Sequence, residues 1–231
     1  ASNLRDFSPF KSQPGADLAG GALARIEELA HEARRLRAGG RPEEAMEKIN
    51  RASAMDPRRA DLHYLRGGIL WDLGRYPQSR AAFRRARDED ICPLRAVSRI
   101  QRACTAAARD KSVPVVDFVA LAEEASEHGV PGNDIFLDHV HPRIGFNRNL
   151  AMAIITRLAA GGVIPGHEHW DHEQMAEAVR HVEQSVDRHS HSLALRNLSK
   201  VLGWAGKFDQ AGRLAKEALS MTPDDAETLN N

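Results

Sequence analysis

The sequence has few cysteines, few aromatic residues and no excess of either charge. Cys92 and Cys104, its 2 cysteines, are too few for a disulfide framework and match no zinc-site spacing. Its 32 basic and 32 acidic residues give a formal net charge of zero, whereas general nucleic-acid and membrane-surface binders need a basic excess. Apolar runs fall short of the roughly 20 residues of a membrane span. We therefore predict no nucleic-acid partner and no membrane span.

The residues that are abundant favour helices. Aromatic residues make up 5% of the 231 residues, while alanine, arginine, glutamate and leucine are common. A hydrophobic content of 42% is sufficient for a folded core. The chain begins Ala1-Ser2-Asn3, without an initiator methionine or a signal peptide, and is interpreted as a piece of a longer protein. These features predict no particular compartment.

A repeat of small residues and turn residues organises much of the chain. In each copy a glycine is followed by a small residue after five positions, alanine after twelve and, in two copies, proline after seventeen. The copies are Gly40, Ala45, Ala52 and Pro57; Gly74, Ser79 and Ala86, with Ile91 in the proline place; and Gly206, Ala211, Ala218 and Pro223. Gly40 and Gly74 lie 34 residues apart. The spacing predicts helical hairpins, with glycine ending the first helix and proline following the second.

These hairpins resemble the tetratricopeptide repeat. The matching residues are Gly67, Gly74, Tyr76, Phe83 and Ala86 in one unit, and Leu195, Leu198, Leu202, Gly206, Phe208, Ala211, Ala218 and Pro223 in another. We assign units to 26–59, 60–93 and 192–225, with a half unit before the last. The resemblance implies a groove that binds a protein or peptide partner.

Arginines on the repeats have two interpretations. They could bind acidic ligands, or they could form a solvated helix face paired with nearby glutamates; the residues concerned are Arg34, Arg35, Arg37, Arg84, Arg85 and Arg87. Arg58 and Arg59 lie in the turn between units and are interpreted as surface residues.

Residues 94–165 break the repeat and predict a small α/β segment. An amphipathic helix is expected over 95–112, with Val97, Ile100 and Cys104 on its apolar face. The β-branched run 113–118 predicts a buried parallel strand. A short helix over 119–128 capped by Gly129, a loop, and a helix over about 146–160 complete the pattern.

The loop before that last helix contains the first candidate site. In the stretch 138–142, Asp-His-Val-His-Pro, Asp138 precedes His141 by three residues, close enough for its carboxylate to hold the imidazole in one tautomer. Pro142 is expected at the helix start. His139 competes with His141 for the role of base. The alternative is a capping loop whose polar residues satisfy backbone groups.

The same stretch resembles the end of an SGNH (GDSL-type) hydrolase, whose last block reads Asp-x-x-His-Pro. The resemblance covers about 95–162, with 1–7 as the exit of an earlier strand, and it is similar to a bacterial arrangement in which tetratricopeptide repeats interrupt the hydrolase domain. It implies that His141 is the base and Asp138 its orienting acid, acting on simple esters, acetylated sugars or lipids. It also implies a nucleophilic serine, and none of the 13 serines has the expected Gly-rich turn after an apolar strand. The chain alone is therefore predicted to be inactive, and a scaffold without catalysis is the alternative function.

A second candidate site is the stretch 167–172, His-Glu-His-Trp-Asp-His. It resembles the metal-binding motif of metallo-β-lactamase-like hydrolases, with His167, His169, Asp171 and His172 as the ligand types that zinc uses. In the alternative interpretation, Asp171 and Gln174 form a capping box at a helix start and metal binding is adventitious. We predict no dedicated metal site and no cofactor.

The predicted fold is mostly α, made of tetratricopeptide-repeat hairpins with a small α/β segment. Residues 1–20 are expected to be the exit loop of a truncated hydrolase half and 21–93 to be repeats. Residues 94–165 are expected to be the end of the hydrolase-like domain, and 166–231 to be further repeat.

Overall fold

The computed structural model describes residues 1–16, 18, 20–165 and 171–230, in two compact units, Ala1–Arg157 and Leu158–Asn231. The helices that start in the first unit are α1 (Ala22–Ala38), α2 (Pro42–Met55), α3 (Ala60–Asp72), α4 (Tyr76–Asp88), α5 (Ser98–Asp110), α6 (Phe118–Ala125) and α7 (Ile144–Ala160). A 3₁₀ turn spans Glu127–Gly129. The second unit contains α8 (His172–Ser185), α9 (Arg188–Trp204), α10 (Phe208–Met221) and α11 (Ala226–Leu229).

Three hairpins close with the same turn, as the repeat spacing predicts. Gly40, Gly74 and Gly206 have φ values of 70°, 69° and 74°, a left-handed conformation that costs glycine little. The N–H that follows each glycine donates to a carbonyl five residues back; Arg75 N–H, for example, lies 2.9 Å from the Leu70 oxygen. This is the Schellman pattern, which satisfies carbonyls left unpaired at the helix end. The hairpins are therefore α1–α2, α3–α4 and α9–α10.

The first two hairpins share one core. Its buried residues come from α1, α2 and α3, and are Ile26, Leu29, Ala30, Ala33, Ala45, Ile49, Ala52, Leu62, Leu65 and Ile69. Small residues bring α3 and α4 together: a Cβ on Gly67 would lie 2.6 Å from the Phe83 ring. The buried Ser79 hydroxyl donates to the Gly67 carbonyl oxygen at 2.7 Å. The repeat pattern thus encodes close helix approach.

The second unit repeats this packing within α9 and α10. Leu195, Leu202 and Leu214 are buried between the two helices. The Ser199 hydroxyl donates to the Ala211 carbonyl oxygen at 2.8 Å, another serine-to-backbone bond between paired helices. Asp187 caps α9 by accepting from the Ser190 N–H at 2.8 Å. The predicted unit over 192–225 is therefore a helical hairpin.

The predicted strand over 113–118 is wrong for this structure, since the described residues contain no β-strand. Residues 113–117 run outside regular structure and α6 begins at Phe118. Val113 and Val115 are 56% and 47% exposed, so neither is covered as a parallel strand would be. A strand needs neighbours for its ladder hydrogen bonds, and none is present in the described chain.

The helix predicted over 95–112 forms as α5, but of its predicted apolar face only Val97, just before the helix, is buried. No residue of α5 is buried, and Ile100 is 49% exposed. The expected α/β segment is therefore represented only by its helices and loops. Gly129 does adopt the predicted left-handed conformation after α6, with φ 72°. Pro142 lies two residues before α7 begins at Ile144 and pairs with Phe136 in an isolated bridge, so it precedes the helix and is not its first residue.

Candidate functional site

The loop before α7 brings Asp138 and His141 together. It folds back on itself, with the Leu137 N–H donating to the His141 carbonyl oxygen at 2.8 Å and the Arg143 N–H to the Ile135 oxygen at 2.8 Å. Beneath it, Phe136 is fully buried in a cluster with Ala122, Ile135 and Phe146. The apolar residues on either side of the motif therefore fix the loop against α6 and α7.

The Asp138 carboxylate is fully buried and accepts three hydrogen bonds. Oδ1 accepts from the backbone N–H groups of Val140 and His141, each at 2.8 Å. Oδ2 lies 2.7 Å from Nδ1 of the His141 ring. A buried carboxylate is costly unless it is paired and hydrogen-bonded, and this one is. The arrangement holds both the position of the acid and the orientation of the imidazole.

Two opposing effects act on the pKa of the Asp138 carboxyl. Burial raises the pKa, whereas the hydrogen bonds from His141, Val140 and the His141 ring lower it. The hydrogen bonds prevail, so the pKa lies below the usual value of 3.8. Asp138 is therefore an anion at neutral pH, and it stabilises a proton on the facing nitrogen of His141.

The His141 ring points outward, with its side chain 67% exposed. Because Asp138 occupies Nδ1, Nε2 is the nitrogen available to an incoming group. In the part of the chain that the structure describes, the hydrogen-bond partner of this ring is the Asp138 carboxylate and no serine hydroxyl. Among the described residues, the pair has the geometry that a base and its orienting acid would need, and no serine hydroxyl bonds to it.

His139 occupies a different environment. Its Nδ1 lies 3.6 Å from Asp138 Oδ2 and makes no hydrogen bond, and its side chain is 18% exposed. The ring packs against Phe7 and Phe10, with both centroid distances 5.3 Å. Burial lowers the pKa of this imidazole, and the charge of Arg95 lowers it further against the opposing effect of Asp138. Of the two histidines, His141 and not His139 is therefore hydrogen-bonded to Asp138.

Arg95 supports the site and was missed by the sequence analysis. Its side chain is 1% exposed, and Nη1 donates to the carbonyl oxygens of Asn3 and Phe7, both at 2.8 Å. Burial lowers the pKa of the guanidinium to about 10 despite Asp90 nearby. An arginine after Cys92-Pro93-Leu94 gives no sequence signal, because its partners are backbone carbonyls roughly ninety residues away.

Residues 1–15, here called the arm, form one side of the site. The Asn3 N–H donates to the His139 carbonyl oxygen at 3.0 Å, and the Leu4 N–H to the Pro131 oxygen at 2.8 Å. Asp6 Oδ2 accepts from the Asn133 N–H at 2.8 Å. The loop that carries Asp138 and His141 is therefore bound along the arm.

The arginines on the repeats are mostly paired within the chain. Arg37 binds Asp72 at 2.6 Å, Arg85 binds Glu89 at 2.5 Å and Arg84 pairs with Glu123. The surface interpretation is wrong for Arg59, which is 5% exposed, because its guanidinium bridges Glu27 and Asp61. These contacts favour the paired interpretation over a site for acidic ligands, and Arg87, which pairs with Asp88, is 3% exposed and therefore not solvated.

The second candidate site lies largely beyond what the structure describes. His167 and His169 are outside the described residues, as is the side chain of His172. Asp171 caps α8 by accepting from the Glu173 N–H at 3.1 Å, as the capping interpretation predicts. Among the described residues, no three His, Cys, Asp or Glu side chains converge to hold a metal ion.

Comparison with known families identifies the first two hairpins. Residues 31–93 match the family described as tetratricopeptide repeat. Residues 31–93 therefore carry tetratricopeptide repeats. No curated protein and no solved structure matches the sequence. The repeats form a helical scaffold of the kind that generally mediates protein–protein interaction. No helix among the described residues is long and apolar enough to span a membrane.

Proposed function

We propose that the chain is a tetratricopeptide-repeat scaffold that binds a protein partner. The family match of residues 31–93 carries this proposal. Exposed apolar side chains on the α9–α10 hairpin support it: Val201, Trp204 and Phe208 are 59%, 92% and 74% exposed. Exposed aromatic residues commonly carry the binding energy of protein interfaces, because their burial removes a large apolar area from water.

Binding to a purified partner tests the scaffold proposal. After a partner is identified by cross-linking, its affinity is measured by titration calorimetry against the wild type, Trp204→Ala and the matched surface variant Gln184→Ala. Loss of a central aromatic side chain should weaken binding by about thirty-fold, whereas Gln184→Ala should bind like the wild type. Equal affinity of all three proteins would exclude the α9–α10 surface as the binding site of the partner.

A second candidate function is the base half of an SGNH-type ester-hydrolysing site. The 2.7 Å contact between the buried Asp138 and the exposed His141 supports it, together with the Asp-x-x-His-Pro resemblance. We propose that 1–20 and 94–165 belong to this hydrolase-like part, and that 21–93 and 166–231 belong to the repeats. The substrate class would be simple esters, acetylated sugars or lipids.

The proposed chemistry is acyl transfer. A serine outside the arrangement described here would attack the ester carbonyl while its hydroxyl proton moves to Nε2 of His141. His141 would then return that proton to the leaving alcohol as the carbonyl–oxygen bond breaks. Asp138 would hold the Nδ1 proton and stabilise the imidazolium formed between these steps.

Hydrolysis of p-nitrophenyl acetate by the product of the whole reading frame tests this role. His141→Ala should reduce kcat by about a hundred-fold or more, since general acid–base catalysis contributes on that scale. Asp138→Asn should also reduce it, and the matched variant His139→Ala should retain activity. Loss of activity in His139→Ala but not in His141→Ala would reverse the assignment. The chain by itself is expected not to hydrolyse the ester.

A further inference from the structure

One stripe of α3 contacts the arm along most of its length. At the start of the helix, the Ser12 hydroxyl donates to Asp61 Oδ1 at 2.5 Å and accepts from the Asp61 N–H at 3.2 Å. Further along, the Tyr64 hydroxyl donates to the Arg5 carbonyl oxygen at 2.7 Å. Near the end, the Arg5 guanidinium lies 4.6 Å from the centre of the Trp71 ring. The arm therefore runs antiparallel to α3. Arg5 lies near the C-terminal end of the helix, and Ser12 lies near its N-terminal end.

Apolar packing joins the arm both to the repeat and to the loop that carries Asp138 and His141. Leu4 is 4% exposed and lies in one cluster with Phe83 of α4 and Val130 of the loop, with Tyr64 and Trp71 packed against it. This residue is the point at which repeat, arm and loop meet.

The carboxylates of two aspartates at helix ends of the repeat hold the rest of the arm. Asp90, just after α4, accepts from the N–H groups of Phe10 and Lys11 at 2.7 and 3.0 Å. The Ile91 N–H donates back to the Lys11 carbonyl oxygen at 3.2 Å. Asp56, at the end of α2, accepts from the Gly15 N–H at 2.9 Å. The arm thus uses its backbone groups as a bound peptide does, and the repeat supplies the side chains.

The other edge of the arm is occupied by the loop. Besides the backbone bonds from Asn3 and Leu4, the Arg5 guanidinium pairs with Glu127 at 2.9 Å and Asp134 at 3.2 Å. Gly132 lies so close that a Cβ would come within 2.4 Å of Asp6 Oδ2. The loop therefore contacts the repeat through the arm. It also contacts α4 directly, because Arg80 Nη1 donates to the Gly129 carbonyl oxygen at 3.4 Å and the His128 ring stacks on Tyr76.

We infer that the first repeat pair binds the chain's own arm as an intramolecular peptide ligand, and that Tyr64 and Trp71 are positioning residues for the Asp138–His141 loop. On this inference the α3 stripe is not an open groove for an outside peptide, which would have to displace the arm. A partner of the scaffold therefore binds elsewhere on the chain. The inference depends only on the contacts of the arm and not on what His141 does.

Hydrogen exchange of the intact chain, followed by mass spectrometry, tests the inference. Tyr64→Phe keeps the ring and removes one hydrogen bond to the arm. A bond of this kind corresponds to about a five-fold change in an opening equilibrium. Peptides covering 1–16 and 127–142 should therefore exchange about five-fold faster in this variant, while peptides covering α1 and α2 should be unchanged.

Two further variants separate the arm from general stability. Tyr76→Phe removes a hydroxyl from the same hairpin that makes no hydrogen bond within the described residues, and it should leave all peptides unchanged. Arg5→Ala perturbs the arm from its own side and should accelerate 1–16 and 127–142 together. The inference is overturned if the wild-type arm exchanges without protection. It is also overturned if Tyr64→Phe accelerates α1 and α2 as much as the arm, or if Arg5→Ala accelerates the arm without the loop.

Discussion

Replacement of Asp138 by asparagine tests the core of the candidate site with almost no change in shape. An asparagine keeps an oxygen to accept from the backbone N–H groups of Val140 and His141, now 2.8 Å from Oδ1. It presents an N–H group, however, where Oδ2 now accepts from His141 Nδ1 at 2.7 Å. Nδ1 must then be the acceptor, so the imidazole proton moves to Nε2. A base with its proton on Nε2 cannot accept one there.

The stability cost follows from the number and charge of these bonds. Hydrogen bonds to charged groups contribute about 1.5–3 kcal/mol and neutral ones about 0.5–1.5 kcal/mol. In Asp138→Asn the two backbone N–H groups bond to a neutral oxygen, which weakens both bonds. The variant also no longer buries a charge, which offsets part of this loss. The net result is a loss of about 2 kcal/mol in the free energy of unfolding at pH 7.

This contribution depends on pH in a definite direction. The folded-state pKa of Asp138 is lowered, so its stabilisation is fully present above the unfolded-state pKa near 3.8 and is lost as pH falls through the folded-state value. The difference between wild type and Asp138→Asn should therefore be constant above about pH 5 and shrink below about pH 4.

Two measurements on the intact chain check these expectations. Histidine ring ¹⁵N shifts report the tautomer of His141, and urea unfolding read from NMR signals of the first unit reports the free energy. Asp134→Asn is the matched control, since its carboxylate accepts from the Glu127 and Gly132 N–H groups of the same loop. It should leave the His141 tautomer unchanged. The reasoning is refuted if wild-type His141 carries its proton on Nε2 at pH 7, or if Asp138→Asn leaves the tautomer as it was.

Two further predictions concern the aromatic cluster and the repeat core. Burial lowers the pKa of His139, so the unfolded state takes up a proton first below about pH 6.5, and stability then falls by up to about 1.4 kcal/mol per pH unit. His139→Phe should remove that part of the slope in urea midpoints measured from pH 7 to 5; an unchanged slope would assign it to another group. Gly67→Ala should destabilise the chain by about 1–3 kcal/mol, because its Cβ would lie 2.6 Å from the Phe83 ring. Gly212→Ala in α10, with open space around it, should stabilise the chain by up to about 1 kcal/mol. Thermal unfolding compares the two, and shifts of the same sign would contradict the packing argument.

The repeats were the predictable part of this fold, because their information is local. Gly40 and Gly74 are enough to predict a left-handed turn, and the seven-residue spacing of Ala45 and Ala52 predicts close helix packing. The Asp138–His141 contact is local in the same sense, because three residues separate the partners. Whether that contact serves catalysis stays a prediction.

The remaining errors concern features that depend on distant partners. The run 113–118 has the composition of a strand, but a strand exists only with a neighbour to pair with. Arg59 lies in a turn, where an arginine is usually exposed, but it is buried because its guanidinium binds Glu27 and Asp61. The arm has no repeat or periodic pattern. Its contacts with α3 use one backbone carbonyl, that of Arg5, and isolated side chains such as Ser12, and neither gives a sequence signal.

The two bonds from Arg95 to the start of the chain have a consequence for the order of folding. They join residues 92 and 88 positions apart, whereas each repeat hairpin closes within about 34 residues. Local contacts form early and distant ones must first pay the entropy of closing a long loop. The hairpins should therefore be complete while Asn3 and Phe7 are still unbound. During synthesis the residues of the first two hairpins, α1–α4, are all added before Arg95, so these hairpins can pair before the loop with His141 joins them.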